Sequence, residues 1–334
     1  MKPQSVFVLV EIMALLALPV VGQTTPSWQQ VNLQNLTVFS IAIAPQDGQT
    51  LFVGSNAGLL KSRNGGQQFI RVLGGLPPDQ IVMQVRFSPH NPKVLYAATG
   101  NTGLYRSQDA GVSWDRILSI PRITLGSIAF DPVNANRMFV ATFGQGIFRS
   151  IDGGQTFKAI NQGLPPQRAG LTVRPIVIDP SDPDIVYAGT DGAGVFRSVD
   201  GGNTWQPMNN RIGNQPVPLL IFDPQNPSRL LAGTDRDGVF MSENRAERWV
   251  RTLGAFRAYF VVSAVWPAAN PQWVFLGSRG NSRGLGAGVL WSQDGAQTFD
   301  ELDEGLTNRS VRSLVQDPHN PNILYGVPRM GYFA

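Results

Sequence analysis

A Gly-rich octad with the pattern Ser-x-Asp-x-Gly-x-Thr-Trp recurs along most of the chain and limits the fold more than any other feature. The octads end in an aromatic residue at intervals of 43 to 50 residues: Phe69, Trp114, Phe157, Trp205, Trp249 and Phe299. Self-similarity at such a period predicts an array of equal units, each of which buries its apolar face against the next.

Each repeat contains four short β-branched or apolar stretches separated by turn residues, which predicts a four-stranded antiparallel unit. A second motif, Asp-Pro-x-Asn/Asp-Pro, as at Asp179, separates the first stretch from the second. A seventh repeat starts at Val311 and reaches only its third stretch, while residues 27–31, with Trp28, resemble a fourth. We therefore predict an all-β ring of seven four-stranded blades, closed by the N-terminal strand pairing into the last blade.

The octads resemble the Asp-box, or bacterial neuraminidase, repeat, and residues 27–334 are similar to Asp-box β-propeller proteins. That group includes sialidases, sortilin-type receptors, glycoside hydrolases acting on xyloglucan, and the photosystem II assembly factor. The resemblance implies a seven-bladed β-propeller. Because members of the group include both hydrolases and binding proteins, the fold leaves the function open.

Residues 1–22 have the pattern of a secretory signal peptide, with Lys2, an apolar run and small residues before Gln23. A retained membrane anchor is the alternative, although the run contains Glu11 and is shorter than the ~20 residues that span a bilayer. We expect an exported protein, periplasmic or extracellular, in which residues 23–334 form one domain. No membrane span would remain after cleavage, whereas an uncleaved segment would retain the protein at the membrane.

The composition excludes several kinds of functional site. The chain has no cysteine and two histidines, which excludes disulfides, Cys-ligated metal centres and thiol catalysis, and we expect no cofactor and no metal. A sequence pI near 9.6 would favour nucleic-acid binding in a cytosolic protein, but the export signal argues against such a partner. We expect a monomer.

The order of strands in a meander puts the octads and the Asp-Pro turns on one face of the ring. We call it the octad face, and we call the opposite face, which carries the variable loops, the mouth. The octad aspartates are predicted to accept hydrogen bonds from their own turns, with calcium binding or catalysis as alternatives. They are Asp109, Asp152, Asp200 and Asp294.

Arginines are concentrated in the loops of the mouth. Nine arginines face six carboxylates there, and Arg174 and Arg312 at the ends of innermost strands raise the local net charge to +5. We predict an anion-receptive mouth that binds an acidic protein or a carboxylated or phosphorylated glycan. A solvated rim with internal Arg–Asp pairs is the alternative. The candidate binding residues are Arg122, Arg168, Arg174, Arg257 and Arg312.

The sixth repeat is rich in tryptophan. Trp266, Trp273 and Trp291 stand where other repeats have Asp223, Arg229 and Arg197. They are predicted to form an aromatic patch on the octad face for a partner or a sugar ring. Filling of a gap between blades is the competing interpretation.

Hydrolysis is the main alternative to binding. The segment from Gly189 to Arg197 resembles the part of the xyloglucan-degrading enzymes that carries a catalytic aspartate, which implies Asp191 as that residue and Asp235 as its neighbour. Two carboxylates about 5–9.5 Å apart are needed for glycoside hydrolysis. Those enzymes clamp their substrate between two propellers, whereas this chain has repeats for one. We therefore favour an exported, non-catalytic binding or assembly scaffold, with glycoside hydrolase as the alternative.

Overall fold

The computed structural model describes residues 11–14, 30–31, 33, 36–235, 237–252, 260–279, 287–302, 306 and 309–328. Strands β1 (Glu11–Ala14) and β2 (Gln30–Val31) precede six antiparallel sheets of four strands each. In each of the six sheets the strands are adjacent in chain order.

The first four-stranded sheet contains β3 (Val38–Ile43), β4 (Leu51–Ser55), β5 (Gly58–Ser62) and β6 (Ile70–Val72). The second contains β7 (Val82–Phe87), β8 (Leu95–Thr99), β9 (Leu104–Ser107) and β10 (Asp115–Arg116). The third contains β11 (Leu125–Phe130), β12 (Met138–Thr142), β13 (Ile147–Ser150) and β14 (Lys158–Ala159). A short helix, α1 (Arg168–Leu171), follows. The fourth sheet contains β15 (Val173–Ile178), β16 (Val186–Thr190), β17 (Val195–Ser198) and β18 (Gln206–Pro207). The fifth contains β19 (Leu219–Phe222), β20 (Leu230–Gly233), β21 (Val239–Ser242) and β22 (Val250–Arg251). The sixth contains β23 (Phe260–Val265), β24 (Val274–Arg279), β25 (Val289–Ser292) and β26 (Asp300–Glu301).

The seventh repeat forms a two-stranded sheet of β27 (Val311–Gln316) and β28 (Leu324–Pro328). The prediction of seven four-stranded blades is therefore wrong for the described residues, in which six blades are complete. The reason lies in the seventh repeat itself, since only two of its apolar stretches precede residue 329, and residues 329–334 lie outside the described ones.

The N-terminal strands differ from the expected closing strand. β1 pairs with β2 in parallel, and β1 contacts β28. Within the described residues β2 pairs with no strand of the last sheet, and Trp28 lies outside those residues. Closure through the N-terminal strand thus stays a prediction.

The first strands of the repeats surround a common axis. Each of them contacts the first strand of the next repeat, and β27 also contacts β3. This is the arrangement of a β-propeller in which the first strand of each blade is innermost. The second strands are buried on both faces, as in β8, β12 and β16, because each blade packs between two neighbours. The fourth strands are outermost, and both residues of β14 and of β18 are exposed.

The octad aromatic seals each blade against the preceding one. Trp205 packs with Phe139 of the third blade, and Trp249, fully buried, packs with Tyr187 of the fourth. Both indoles also donate a hydrogen bond back to the preceding repeat, Trp205 Nε1 to the carbonyl of Ile160 at 2.7 Å and Trp249 Nε1 to that of Met208 at 2.8 Å. Burial of one such side chain contributes roughly 2–3 kcal/mol.

Candidate functional site

The innermost strands carry an unusual set of charges. Arg86 on β7, Arg174 on β15 and Arg312 on β27 are their only charged residues, and none of these seven described strands contains Asp or Glu. Because the strands surround the axis, positive charge is concentrated along the channel without a carboxylate on its wall.

Arg86 lies deepest. Its position in the strand register is equivalent to Val177, three residues beyond Arg174, which places it roughly 10 Å further from the mouth. Its Nη1 donates to the carbonyl oxygen of Ile128 on the next innermost strand at 3.3 Å. Water reaches this side chain although protein atoms surround it densely, as expected in a channel, and desolvation lowers the pKa of Arg86 from its ordinary value. The guanidinium remains charged at neutral pH.

Arg174 stands at the mouth and is held from two sides. Its Nη2 atom is 2.6 Å from Oδ1 of Asp191, and its guanidinium carbon is 5.9 Å from the ring centroid of Phe143. The Nε atom of Arg174 is buried and has no hydrogen-bond partner among the described residues. The ion pair fixes the direction of the side chain and leaves part of its donor capacity unused.

Two further arginines of the mouth also lie over phenylalanine rings. Arg312 is 5.6 Å from the ring centroid of Phe39, on the adjacent innermost strand. Arg279, at the end of β24, is 5.0 Å from that of Phe260. Stacking on an aromatic face orients a guanidinium.

Asp191 and Asp235, the candidate catalytic pair, flank the same short backbone segment. Asp191 forms an isolated antiparallel bridge with Pro216, and the amide of Asp235 donates to the Pro216 carbonyl at 3.2 Å. The carboxylate of Asp235 is 4.0 Å from Nη2 of Arg279. Each of the two carboxylates therefore has an arginine beside it.

The loops that carry these residues share a threonine closure. A buried threonine at the end of the second strand donates its hydroxyl to the carbonyl of a glycine four residues later, at 2.6 to 2.9 Å. The pairs are Thr99–Gly103, Thr142–Gly146, Thr190–Gly194 and Thr234–Gly238. The Thr-x-x-x-Gly spacing is visible in the sequence, and it fixes the base of each loop while its tip faces the mouth.

The remaining predicted mouth residues are not brought into one cluster. Arg122 and Arg168 are exposed and take part in no ion pair within the described part of the chain, and Arg257 lies outside it. Some rim charges do pair internally, as in Arg71–Asp79 at 2.5 Å and Arg309–Glu301 at 3.7 Å. The mouth thus combines internal pairs with exposed arginines.

The three tryptophans of the sixth blade separate into two places. Trp266 is buried against the fifth blade under the guanidinium of Arg229, with 5.5 Å between guanidinium carbon and ring centroid. Trp273 and Trp291 contact each other edge to face, at a centroid distance of 5.8 Å, and pack against the core between the sixth and seventh sheets. The strand registers make Trp266 equivalent to Phe222, not to Asp223 as predicted, because Pro267 takes the place of the turn aspartate.

The octad aspartates bind their own turns. Asp152 accepts N–H groups of Gln155 and Thr156 and the hydroxyls of Ser150 and Thr156. Partial desolvation opposes these bonds, but together they lower the pKa of Asp152 to about 2. In Asp109 the hydroxyl of Ser113 is the main cause of a lowered pKa. The two other octad aspartates make equivalent bonds, which support a structural role.

The described residues contain no cluster of three or more His, Cys, Asp or Glu that could hold a metal ion. Among the helices of the same described part, none has the length and apolar character needed to cross a bilayer.

The comparisons with known proteins concern the fold. A family model described as Sortilin, neurotensin receptor 3, matches residues 102–192, less than a third of the chain. No curated protein matches the sequence. The GH74 xyloglucanase from Xanthomonas campestris superposes with a TM-score of 0.72 at 14% identity, over 89% of this chain and 51% of that one. The chain has the β-propeller fold of that group.

Two other structures resemble it to a similar degree. The structure of YCF48 bound to D1 peptide has a TM-score of 0.62 at 20% identity and covers 85% of this chain and 88% of that chain. The extracellular domain of BT3049 from B. thetaiotaomicron has a TM-score of 0.66 at 17% identity, over 85% of this chain and 38% of that chain. The chain therefore spans about half the length of the xyloglucanase and nearly all of YCF48.

Proposed function

We propose that the protein is a non-catalytic binding scaffold whose mouth and channel recognise an anionic partner. The observation that carries this proposal is the set of three arginines, without a carboxylate, on the seven innermost strands. Arginine offers a rigid fork of donors that matches carboxylate and phosphate groups. Arg174 and Arg312 at the mouth and Arg86 further from it offer positive charge at two depths to an extended acidic segment or a carboxylated glycan.

The proposal includes a seven-bladed ring and export. The contact of β27 with both β23 and β3 supports a seventh blade, with residues 27–31 as its closing strand. The structural neighbours include an extracellular domain and a structure with a bound peptide, which agrees with an exported binding protein. YCF48 matches this chain over most of its own length, unlike the xyloglucanase.

The test uses two anionic probes, polygalacturonate and a poly-glutamate peptide, with neutral xyloglucan as the uncharged comparison. We expect the full chain to bind at least one anionic probe with an affinity that falls as salt rises. Replacing Arg174 and Arg312 by Ala should weaken binding by roughly tenfold or more, because each charged hydrogen bond contributes about 1.5–3 kcal/mol. Arg86→Gln should weaken it independently.

The matched control removes two charges elsewhere. Arg63 and Lys158 are exposed, the first in the octad of the first repeat and the second on an outermost strand. Their double replacement by Ala should leave affinity within about twofold. Equal losses in both double variants, or binding that the Arg174 and Arg312 changes leave intact, would overturn the proposal.

Glycoside hydrolysis is the second candidate because Asp191 and Asp235 flank the same residue, Pro216. It requires Asp191 to act as acid or base while Arg174 lies 2.6 Å away. Release of reducing ends from xyloglucan or a sialylated glycan, abolished by Asp191→Asn in a protein that still folds, would favour the enzyme over the scaffold.

A further inference from the structure

A cavity of about 670 Å³ lies between the fifth and sixth blades, on the side opposite to the mouth. Its walls come from the octad turns of both blades, including Glu243 and Arg248 from the fifth and Gln297 from the sixth. Met241 and the half-exposed Val250 supply an apolar wall. The cavity is independent of the proposed function, since octad turns and mouth loops lie at opposite ends of the strands.

The octad of the fifth blade departs from the others where it borders this cavity. Asn244 stands in place of the aspartate and Arg248 in place of the threonine, as comparison with Asp152 and Thr156 shows. Asn244 keeps the turn, since its Oδ1 accepts from the amide of Arg248 at 3.0 Å. The turn has thus lost a carboxylate and gained a guanidinium without changing its backbone bonds.

The boundary between the fifth and sixth blades also lacks a carboxylate that is present at the boundary between the third and fourth blades. Between the third and fourth blades, Arg137 contacts Asp131 in its own turn and Asp184 on the next blade, each at 2.5 Å. The equivalent Arg229 contacts Asp223 in its own turn at 2.6 Å, but the residue equivalent to Asp184 is Gln272.

Positive charges therefore outnumber negative charges around the cavity. Glu243 is the acidic residue of its lining and lies 4.0 Å from Arg229. Arg248 and Arg251 also line it and take part in no ion pair within the described ranges. The Nη2 atom of Arg251 is buried with no hydrogen-bond partner there. An occupant with a carboxylate would find guanidinium groups beside an aliphatic wall.

We propose that this cavity binds a short acidic peptide segment that carries an aliphatic side chain. Its carboxylate pairs with Arg248, and its aliphatic group packs on Met241 and Val250. The outermost strand β22 runs along the cavity, and its outer edge pairs with no other strand of the described residues, so it can receive an extended backbone. The guanidinium groups of Arg248 and Arg251, which form no ion pair in the described part of the chain, combine with the apolar wall and the strand edge to favour a peptide with alternating acidic and apolar residues.

The chain offers a substitution that keeps the fold. Arg248→Thr restores the residue found at this position in the octads of the third, fourth and sixth blades. The probe is an acetylated peptide of alternating Leu and Glu, compared with its Leu and Lys counterpart and with inorganic phosphate. We expect the acidic peptide to bind and Arg248→Thr to weaken it roughly tenfold. Arg63→Thr, the same charge change in the first octad, should have no effect.

The absence of native cysteine allows the site to be located. The measurement uses a chain with Arg174→Ala and Arg312→Ala, in which the mouth no longer contributes to binding of an acidic peptide. In that chain a fluorophore attached through Gln297→Cys, at the cavity, should respond to the acidic peptide, whereas one attached through Lys158→Cys, on an outermost strand of the third blade, should not. Loss of all peptide binding in that chain, unchanged affinity on adding Arg248→Thr, or a response at Lys158→Cys alone would overturn the proposal.

Discussion

Single carboxylates hold the outer turns of the blades. In the octads of Asp109, Asp152 and Asp294 the aspartate accepts two amide hydrogens and two hydroxyls, so that it replaces the backbone partners that a tight turn lacks. The glycines beside it adopt positive φ, as at Gly154 with φ +79°. The motif is thus a self-contained turn, and its specific residue types follow from the hydrogen bonds it must make.

Asp152→Asn should destabilise the protein in a pH-dependent manner. The folded pKa of about 2 lies below the ordinary value of 3.8. The carboxylate therefore stabilises the fold above pH ~4, and this contribution is lost as the pH falls towards 2. Urea unfolding should show a cost of about 1 kcal/mol at pH 7, modest because the site is exposed to solvent. At pH 2, near the folded pKa, the cost should be only a small part of its value at pH 7.

Asp115→Asn serves as the comparison, since Asp115 is exposed on an outermost strand. It should change the free energy of unfolding by less than about 0.5 kcal/mol at either pH. An Asp152→Asn penalty that stays equal at pH 7 and pH 2 would contradict the role assigned to the charge.

Arg86 shows where prediction from the sequence failed. The residues equivalent to it on the other innermost strands are small or aliphatic, as at Ala42, Ala129 and Val177. The residues next to Arg86 in the sequence do not show whether its side chain lies in the channel or between two blades. Successive side chains of a strand point to opposite sides, and this alternation is the same in both cases. Alignment of the seven repeats position by position would have identified the exception.

Neighbouring blades fit together through close backbone approaches. The segment that leads from the third blade to the fourth contacts the octad of the fourth, where the Gln162 carbonyl accepts from the amide of Trp205 at 2.9 Å. Gly163 follows with φ +96°, and a Cβ there would lie 2.1 Å from the Trp205 carbonyl oxygen. Only glycine fits at this position.

Gly163→Ala should therefore be strongly destabilising. The backbone strain and the clash together should lower the free energy of unfolding by about 3 kcal/mol or more. Gly213 offers a matched control, because it has φ +73° and a Cβ added there would meet no atom within 4 Å. Gly213→Ala should cost only about 1 kcal/mol. Equal costs in thermal or urea unfolding would show that the approach to Trp205 is looser than described.

The sequence predicted most strands correctly and one tryptophan incorrectly. Strand positions followed from β-branched stretches between turn motifs, because every turn contains Asp, Pro or Gly at a fixed place. Trp266 was assigned one position too far, since the sixth repeat lacks the turn aspartate that marks the register elsewhere. Whether the tryptophans form a surface patch or fill a gap between blades depends on the residues they pack against, and the sequence pattern does not show those residues.

The seven repeats meet where the last adjoins the first. His319, in the turn of the seventh repeat, contacts Ala44 of the first, with 3.2 Å between Nε2 and the carbonyl oxygen. A Cβ at Gly48 would lie 3.6 Å from the Cβ of His319. That separation falls within the range of disulfides.

A chain with Gly48→Cys and His319→Cys should form a disulfide on mild oxidation, without competing native thiols. We expect a faster band on non-reducing gels and an increase of about 2–4 kcal/mol in the free energy of unfolding, reduced by strain at the positive φ of residue 48. The pair Gly213→Cys and His319→Cys, on opposite faces, should stay reduced. Failure of the first pair to oxidise would place the seventh repeat away from the first.

The six complete blades were predictable, but the arrangement of the seventh repeat was not. The octads and Asp-Pro turns count the units directly, whereas the identity of a closing strand depends on pairing between chain segments about 300 residues apart in the sequence, which no local pattern encodes. The parallel pairing of β1 with β2 was not expected for the same reason.

The threonine closures assign the anchoring of a loop and the contacts of its tip to different residues. The Thr190 hydroxyl and the Gly194 carbonyl fix where that loop leaves and re-enters the sheet. The residues between them make the contacts of the tip, as Asp191 does with Arg174. A loop closed in this way can therefore change the charge that its tip presents at the mouth while the ends of the strands beneath stay fixed.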